Sequence, residues 1–115
     1  MTPDGFTACI AEGGAVLQAV TEEHRRTYDE ILLHVLCGDL SRYCVAAWRR
    51  GDSPGVSHCL ACAAAALDDG DPALRNAIQV SFVENVGPWD PMMRPFIATW
   101  PDSLRAEAER QTASE

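Results

Sequence analysis

The segment from His58 to Cys62, His-Cys-Leu-Ala-Cys, is the densest group of side chains in the chain that can bind a metal ion or exchange a disulfide. Two cysteines three positions apart can hold zinc or carry out thiol–disulfide chemistry. A structural zinc site needs four ligands, and the other half would come from His34, Cys37 or Cys44. The alternative is that the cysteines are small apolar side chains in a core, which the alanine-rich surroundings favour. We therefore expect no cofactor, and the secondary metal candidates are His58, Cys59 and Cys62.

The number of cysteines also bears on redox state and compartment. Five is an odd number, which does not suit a framework of paired cysteines. The N-terminal segment contains an acidic residue, Asp4, and no basic residues. A secretory signal needs a positive start and an apolar run of roughly 7–15 residues. No uncharged stretch approaches the roughly 18 apolar residues of a membrane span. We expect a cytoplasmic protein with free thiols and no membrane contact.

Catalytic chemistry has little support in the sequence. All nine cationic residues are arginine, so lysine Schiff bases and a phosphate-binding loop lysine are excluded. Hydrolysis by serine or cysteine needs a base beside the nucleophile and a third group that orients the base. The serines lie outside any nucleophile elbow, and the three histidines show no triad pattern. We predict that the protein is not an enzyme.

Four residues near a break in the chain are candidates for a binding surface. Glu84 and Asn85 are polar positions in an otherwise apolar segment, just before Gly87-Pro88. Trp89 and Asp90 follow the break, and tryptophan is enriched at interface hot spots. The alternative is that the polar pair hydrogen-bonds to backbone groups of the loop. The sequence favours a core position for Trp48 and leaves Trp89 and Trp100 open between core and interface.

The elements that would position these residues are all helices. Turn residues divide the sequence, no segment alternates like a strand, and Ser53-Pro54 and Asp71-Pro72 both combine a capping residue with proline at the first turn. Gly38-Asp39 predicts the end of one helix and the start of another. The predicted helices are Phe6–Val20, Tyr28–Cys37, Leu40–Arg50, Pro54–Leu67, Ala73–Val86, Met92–Thr99 and Asp102–Gln111. We predict an all-α, compact single-domain bundle of five to seven short helices, packed as antiparallel helical hairpins over residues 1–111, with a frayed tail at 112–115.

The charge balance limits the possible partners. Seventeen acidic residues against nine basic ones give a net charge of -8, which repels nucleic-acid phosphates. Some of this excess lies where helix N-termini favour acids, as at Asp39 and Asp71. The remaining excess suits a basic protein partner, and the sequence leaves the oligomeric state open.

Two segments, Leu32–Tyr43 and Asn76–Val86, resemble a family of small uncharacterised bacterial proteins described only as a domain of unknown function. The resemblance extends from about Ile10 to Arg110 and includes Pro101-Asp102-Ser103-Leu104. It implies a compact helical protein, and some members resemble immunity proteins of bacterial toxin systems. Cys37 and Cys44 stand where the family would have large apolar residues, which favours the core interpretation of the cysteines. Together these features lead us to expect a non-enzymatic interaction module, of the immunity-like kind that the resemblance implies, with a helical metal- or ligand-binding protein as the alternative.

Overall fold

The computed structural model describes residues 1–113, and its regular structure is helical throughout those residues. The elements in chain order are α1 (Pro3–Ala11), α2 (Ala15–Tyr28), α3 (Leu33–Arg49), α4 (Pro54–Asp69), α5 (Pro72–Ala77), a π-helix (Ile78–Glu84), a 3₁₀ turn (Pro91–Met93), α6 (Arg94–Ile97) and α7 (Asp102–Ala113). The all-α, single-domain prediction is confirmed. Within the described range, no helix combines the length and the apolar character needed to cross a membrane.

The first predicted helix is wrong, because the chain breaks within it. Helix α1 ends at Ala11, and α2 starts after Gly14, whose φ of 115° is a conformation that residues with a Cβ rarely adopt. The break lets α1 fold back, so that Phe6 and Ile10 on α1 and Leu17 on α2 are all buried. A short α1 covering the core replaces the single long helix.

The predicted break at Gly38-Asp39 is also wrong, because α3 passes through both residues without interruption. The chain instead turns before α3, at Asp29, which has a left-handed conformation with φ of 60°. Gly38 is buried, and a Cβ placed on it would lie 3.4 Å from Nδ2 of Asn85. Asp39 forms an ion pair with Arg42 one turn on and does not cap a new helix. Packing of α3 outweighs the cost of about 1 kcal/mol for glycine inside a helix.

The starts of α4, α5 and α7 agree with the sequence. Proline occupies the first turn of α4 and of α5, and Asp71 Oδ1 accepts a hydrogen bond from Leu74 N at 2.9 Å. The side chain of Ser53 makes no such capping bond, so that detail was wrong. Helix α7 starts at Asp102 and extends to Ala113, so 112–113 of the predicted tail are helical. The rest of that tail, 114–115, lies outside the described residues.

The predicted helix Ala73–Val86 contains an element that the sequence did not reveal. After α5 the chain widens into the π-helix Ile78–Glu84. Such segments are rare and often occur at functional sites. Helix α7 supports this one, because Gln111 Nε2 donates to the Gln79 carbonyl at 2.9 Å. The side-chain Nε2 of Gln79 in turn donates to Glu107 Oε1 at 3.3 Å.

Aromatic residues of the second half complete the core. Phe96 stacks on Trp48 with ring centroids 5.1 Å apart and meets Trp100 edge-on at 5.5 Å. Trp100 is buried and Trp48 is half-buried against the core, whereas Trp89 is exposed. The core position expected for Trp48 is confirmed, and the two open cases divide into a core Trp100 and a surface Trp89.

Candidate functional site

Three of the four predicted binding residues line one depression between α3 and the π-helix. Its volume is about 500 Å³, and we call it the α3–π surface. It is lined by His34, Val35, Gly38 and Arg42 of α3 and by Val80, Ser81, Glu84, Asn85 and Trp89. The π-helix therefore places Glu84 beside Trp89, although the break at Gly87 separates them in sequence.

Asp90, the fourth predicted residue, lies next to this surface. It lines a neighbouring depression of about 300 Å³ that shares Arg42 and Asn85 with the first. Its Oδ1 accepts a hydrogen bond from Met92 N at 2.9 Å, so Asp90 caps the 3₁₀ turn. All four predicted residues lie on one side of the molecule, with a structural role for Asp90.

Hydrogen bonds across the depression join α3 to the π-helix. His34 Nδ1 and Ser81 Oγ lie 2.6 Å apart. Asn85 Nδ2 donates to Ser41 Oγ at 3.3 Å, and that hydroxyl donates to the Gly38 carbonyl at 2.8 Å. The alternative that Asn85 bonds to loop backbone was wrong, since its partner is a side chain of α3. His34 is exposed.

The His34–Ser81 pair is a base beside a hydroxyl, a combination that the sequence did not reveal. Nucleophilic catalysis also requires a third group that orients the base and donors that stabilise an oxyanion. Among the described residues, no acid is hydrogen-bonded to His34, and Ser81 lies inside a helical segment whose amides bond within the helix. The pair therefore fits a polar contact of the surface better than an acyl-transfer site.

The α3–π surface also exposes apolar side chains to water. Val35 is 36% exposed, Val80 45% and Trp89 52%. Met92, next to Asp90 in the 3₁₀ turn, is more exposed still. Exposed apolar groups gathered in a depression and bordered by polar side chains are typical of protein-interaction sites. Tryptophan is the residue type most often found as an energetic anchor there.

The excess of acidic residues is distributed unevenly over the molecule. Within residues 1–113, six arginines have an acidic partner within 4.0 Å: Arg25, Arg26, Arg42, Arg50, Arg105 and Arg110. Exposed carboxylates without an ion pair among the described residues are Glu12, Glu22, Asp29, Glu30, Asp68 and Glu84. Only Glu84 of these lies in the α3–π surface. The other unpaired carboxylates lie outside the α3–π surface.

A second group of reactive side chains lies where α1 packs on α4. Cys9 and Cys62 form a disulfide, so the expectation that all five thiols are free was wrong. The physical reason is the fold of α1, which brings the two Cα atoms to 6.1 Å, a separation that a disulfide spans. His58 Nε2 lies 3.5 Å from Cys62 Sγ and 2.6 Å from the Cys9 carbonyl oxygen. We call these three residues the Cys9–His58–Cys62 cluster.

The other residues proposed for a metal site do not join this cluster. Cys59 is fully buried, and a hydrogen bond with Cys44 together with burial raises the pKa of its thiol. Burial raises the pKa of Cys37 to about 12. These three thiols are core side chains, as the sequence favoured, while His34 belongs to the α3–π surface. The sequence named His58, Cys59 and Cys62 as candidates. The structure groups His58 and Cys62 with Cys9 instead of Cys59.

Comparison with known proteins gives a family without an assigned role. One family model, described as Domain of unknown function (DUF7674), matches residues 15–114. Neither the comparison with curated proteins nor the comparison with solved structures gave a match.

Proposed function

The chain belongs to this family of unknown function, and we propose that it is a non-enzymatic interaction module that binds a basic protein through the α3–π surface. The observation that carries the proposal is the exposure of Val35, Val80 and Trp89 in one depression. Burying these side chains under a partner would remove apolar area from water, worth about 25 cal/mol per Å² before the costs of association.

The hydrogen bonds beneath the surface support the same role. His34–Ser81 and Asn85–Ser41 hold the two sides of the depression together, so the apolar groups are presented on two fixed helices. A surface fixed before binding loses less conformational entropy when the partner docks. Glu84 adds an unpaired carboxylate beside Trp89, which suits a cationic side chain of the partner.

The overall charge supports a basic partner. With a net charge of -8, the molecule attracts a cationic protein over distances up to about 8 Å beyond its surface at physiological salt. Such attraction increases the association rate more than it increases affinity. The unpaired acids on and around α2 contribute to this steering without touching the partner.

The resemblance to immunity proteins narrows the proposal. On this basis the partner is a basic bacterial toxin, and the module acts in the bacterial cytoplasm by covering the toxin's functional surface. A partner of this kind would be encoded beside the present gene, which identifies the protein to be tested.

The test is calorimetric titration of the purified chain with the product of the adjacent gene. We expect a one-to-one complex that Trp89→Ala weakens by at least about tenfold, as expected for loss of an anchor residue. Val16→Ala is the matched control, because Val16 is 58% exposed on α2 and lies outside the α3–π surface. Raising the salt from about 50 to about 500 mM should slow association, because screening shortens the range of the attraction.

Two results would contradict the proposal. If the products of the adjacent genes do not bind, the immunity role is wrong. If Trp89→Ala and Val16→Ala weaken an observed complex equally, the partner binds elsewhere and the assignment of the α3–π surface fails.

A further inference from the structure

The Cys9–His58–Cys62 cluster carries an inference that is independent of the interaction proposal. None of its residues lines the α3–π surface. Its three potential ligand atoms, two sulfurs and an imidazole nitrogen, lie within 4.8 Å of one another. Cys62 is buried, whereas Cys9 and His58 are half-buried, so the group is open to solvent on one side only.

The geometry of the cluster fits a tetrahedral ion. His58 and Cys62 are four residues apart on α4 and therefore lie on the same face of the helix. Zinc bonds of about 2.3 Å to sulfur and 2.0–2.1 Å to nitrogen place tetrahedral N and S ligands roughly 3.5 Å apart. His58 Nε2 and Cys62 Sγ are separated by 3.5 Å. Cys9 supplies the third ligand from α1, and a fourth position remains for water.

The turn after α1 restricts the position of the His58 ring. A Cβ placed on Gly13 would lie 2.9 Å from His58 Cγ and 2.6 Å from Leu17 Cδ1, so only glycine leaves room for the ring. The carbonyl of Cys9 can only accept a hydrogen bond, so Nε2 of His58 donates its proton to it at 2.6 Å. In the disulfide form, therefore, all three ligand atoms are already engaged and none is free for a metal.

We propose that the cluster is a redox-gated site for a thiophilic divalent cation of the zinc class. When two small-molecule thiols reduce the disulfide, they become one disulfide, and Cys9 and Cys62 become thiols. The ion then binds both sulfurs as thiolates together with Nε2 of His58. The two thiol protons are released to solvent, and the imidazole proton passes from Nε2 to Nδ1. A small-molecule disulfide reverses this step. It accepts two electrons from the two thiolates and, with two protons, becomes two thiols, while the Cys9–Cys62 bond forms. The ion is released, and the imidazole proton returns from Nδ1 to Nε2, which again donates to the Cys9 carbonyl.

The test compares the whole chain in its two redox states. Reduced protein, freed of metal by a chelator and desalted without oxygen, is titrated with zinc against a chromophoric competitor. We expect one zinc per chain in the reduced protein and less than about a tenth of that in protein oxidised with glutathione disulfide. Adding glutathione disulfide to the zinc-loaded form should release one zinc for every two thiols lost.

Variants separate the cluster from the remaining thiols. Cys62→Ser and His58→Ala should each lower zinc affinity by at least about tenfold. Cys59→Ala is the matched control and should retain the affinity. Cys59 lies one turn before Cys62 on α4 but does not belong to the cluster. Cobalt in place of zinc should give thiolate charge-transfer absorption only when Cys9 and Cys62 are both present and reduced.

Three results would overturn the proposal. Equal zinc binding by oxidised and reduced wild-type protein would exclude the redox gate, and this comparison holds even if a variant fails to fold. A reduced wild type that binds no zinc would exclude the site. Loss of binding in a folded Cys59→Ala variant would place the ion elsewhere. Failure of the adjacent-gene product to bind leaves all three measurements unaffected, so the two proposals fail separately.

Discussion

Two regions of this molecule hold both cysteine and histidine, and the chemical consequences in the two regions are opposite. In the interior, Cys37, Cys44 and Cys59 pack in the core, and His24 is buried on α2. Where α1 meets α4, Cys9, His58 and Cys62 lie at the edge of the core with their reactive atoms together. The same residue types are thus chemically suppressed in one region and grouped for reaction in the other.

The two histidines illustrate the difference. Leu32 N donates to Nε2 of His24 at 2.9 Å, so the proton of this ring lies on Nδ1, which is buried and has no hydrogen-bond partner among the described residues. His58 instead carries its proton on Nε2 and donates it. Burial lowers the pKa of His24. His24 is closed off from solvent, whereas His58 is half-buried and contacts Cys9 on a second helix. We infer that exposure to solvent and a neighbouring side chain on another helix decide whether a histidine here can react.

The largest expected difference between the two regions is in thiol reactivity. A pKa of about 12 for Cys37, against an ordinary 9.0, makes its thiolate about a thousandfold scarcer at any pH below both values. In reduced, metal-free and folded protein, iodoacetamide should modify the half-buried Cys9 first and spare the interior thiols. Peptide mass spectrometry over time measures this, with urea-unfolded protein as the control in which all five react. Comparable labelling of Cys37 in the folded protein would erase the distinction.

Removing one cysteine from each region should affect stability unequally. The Cys9–Cys62 bond closes a loop of 53 residues, for which chain entropy gives about 4 kcal/mol of stabilisation. Cys9→Ser should therefore lower the free energy of unfolding by about 3–4 kcal/mol relative to oxidised wild type. Cys59→Ala, which removes one small core side chain, should cost only about 1–2 kcal/mol. Urea unfolding without metal measures both, and equal losses would argue against the covalent tie.

A pair of glycine variants tests the packing around His58. Gly13→Ala forces the imidazole or Leu17 to move and should cost about 1–3 kcal/mol, with weaker zinc binding by the reduced form. Gly38→Ala places its Cβ at an ordinary 3.4 Å from Asn85 and should raise stability by up to about 1 kcal/mol through helix propensity. Thermal unfolding distinguishes the two. A neutral Gly13→Ala would mean that the ring is not held as described.

The smallest effect expected is a pH dependence from the interior. Because burial lowers the pKa of His24 from its ordinary 6.5, its neutral form stabilises the fold. That contribution is complete above pH 6.5 and is lost as the pH falls through the lowered value. Unfolding free energies at about pH 7.5 and about pH 5 should differ more for wild type than for His24→Gln, which has no imidazole to protonate. An identical difference in both proteins would show that His24 does not contribute.

Sequence reasoning succeeded where structure depends on neighbouring residues. The starts at Pro54 and Pro72 follow from proline at the first turn, and the second is also capped by Asp71. The break at Gly87-Pro88 was predicted from those two helix-ending residues, and it led to the residues of the α3–π surface. Local chemistry was misleading at Gly38-Asp39, because α3 continues through both residues.

The features that sequence reasoning missed are contacts between distant residues. Ser81 and His34 are 47 positions apart, and Cys62 and Cys9 are 53 apart, so no spacing rule relates them. The π-helix is equally hidden, because its support comes from Gln111 on α7. The odd number of cysteines led us to expect that all five thiols are free. An odd number is equally compatible with one disulfide and three buried free thiols, which is what the structure contains.

The break at Gly14 has a consequence for what counts as the folding unit. The family model begins to match at residue 15, the first residue of α2, so α1 lies wholly outside the matched region. Yet Phe6 and Ile10 of α1 are fully buried, and Cys9 is covalently joined to α4. A chain cut at the boundary of the family match would expose the apolar surface that α1 covers and would lose Cys9 of the Cys9–His58–Cys62 cluster. For this protein, the smallest unit that folds as described is therefore larger than the region by which its family is recognised.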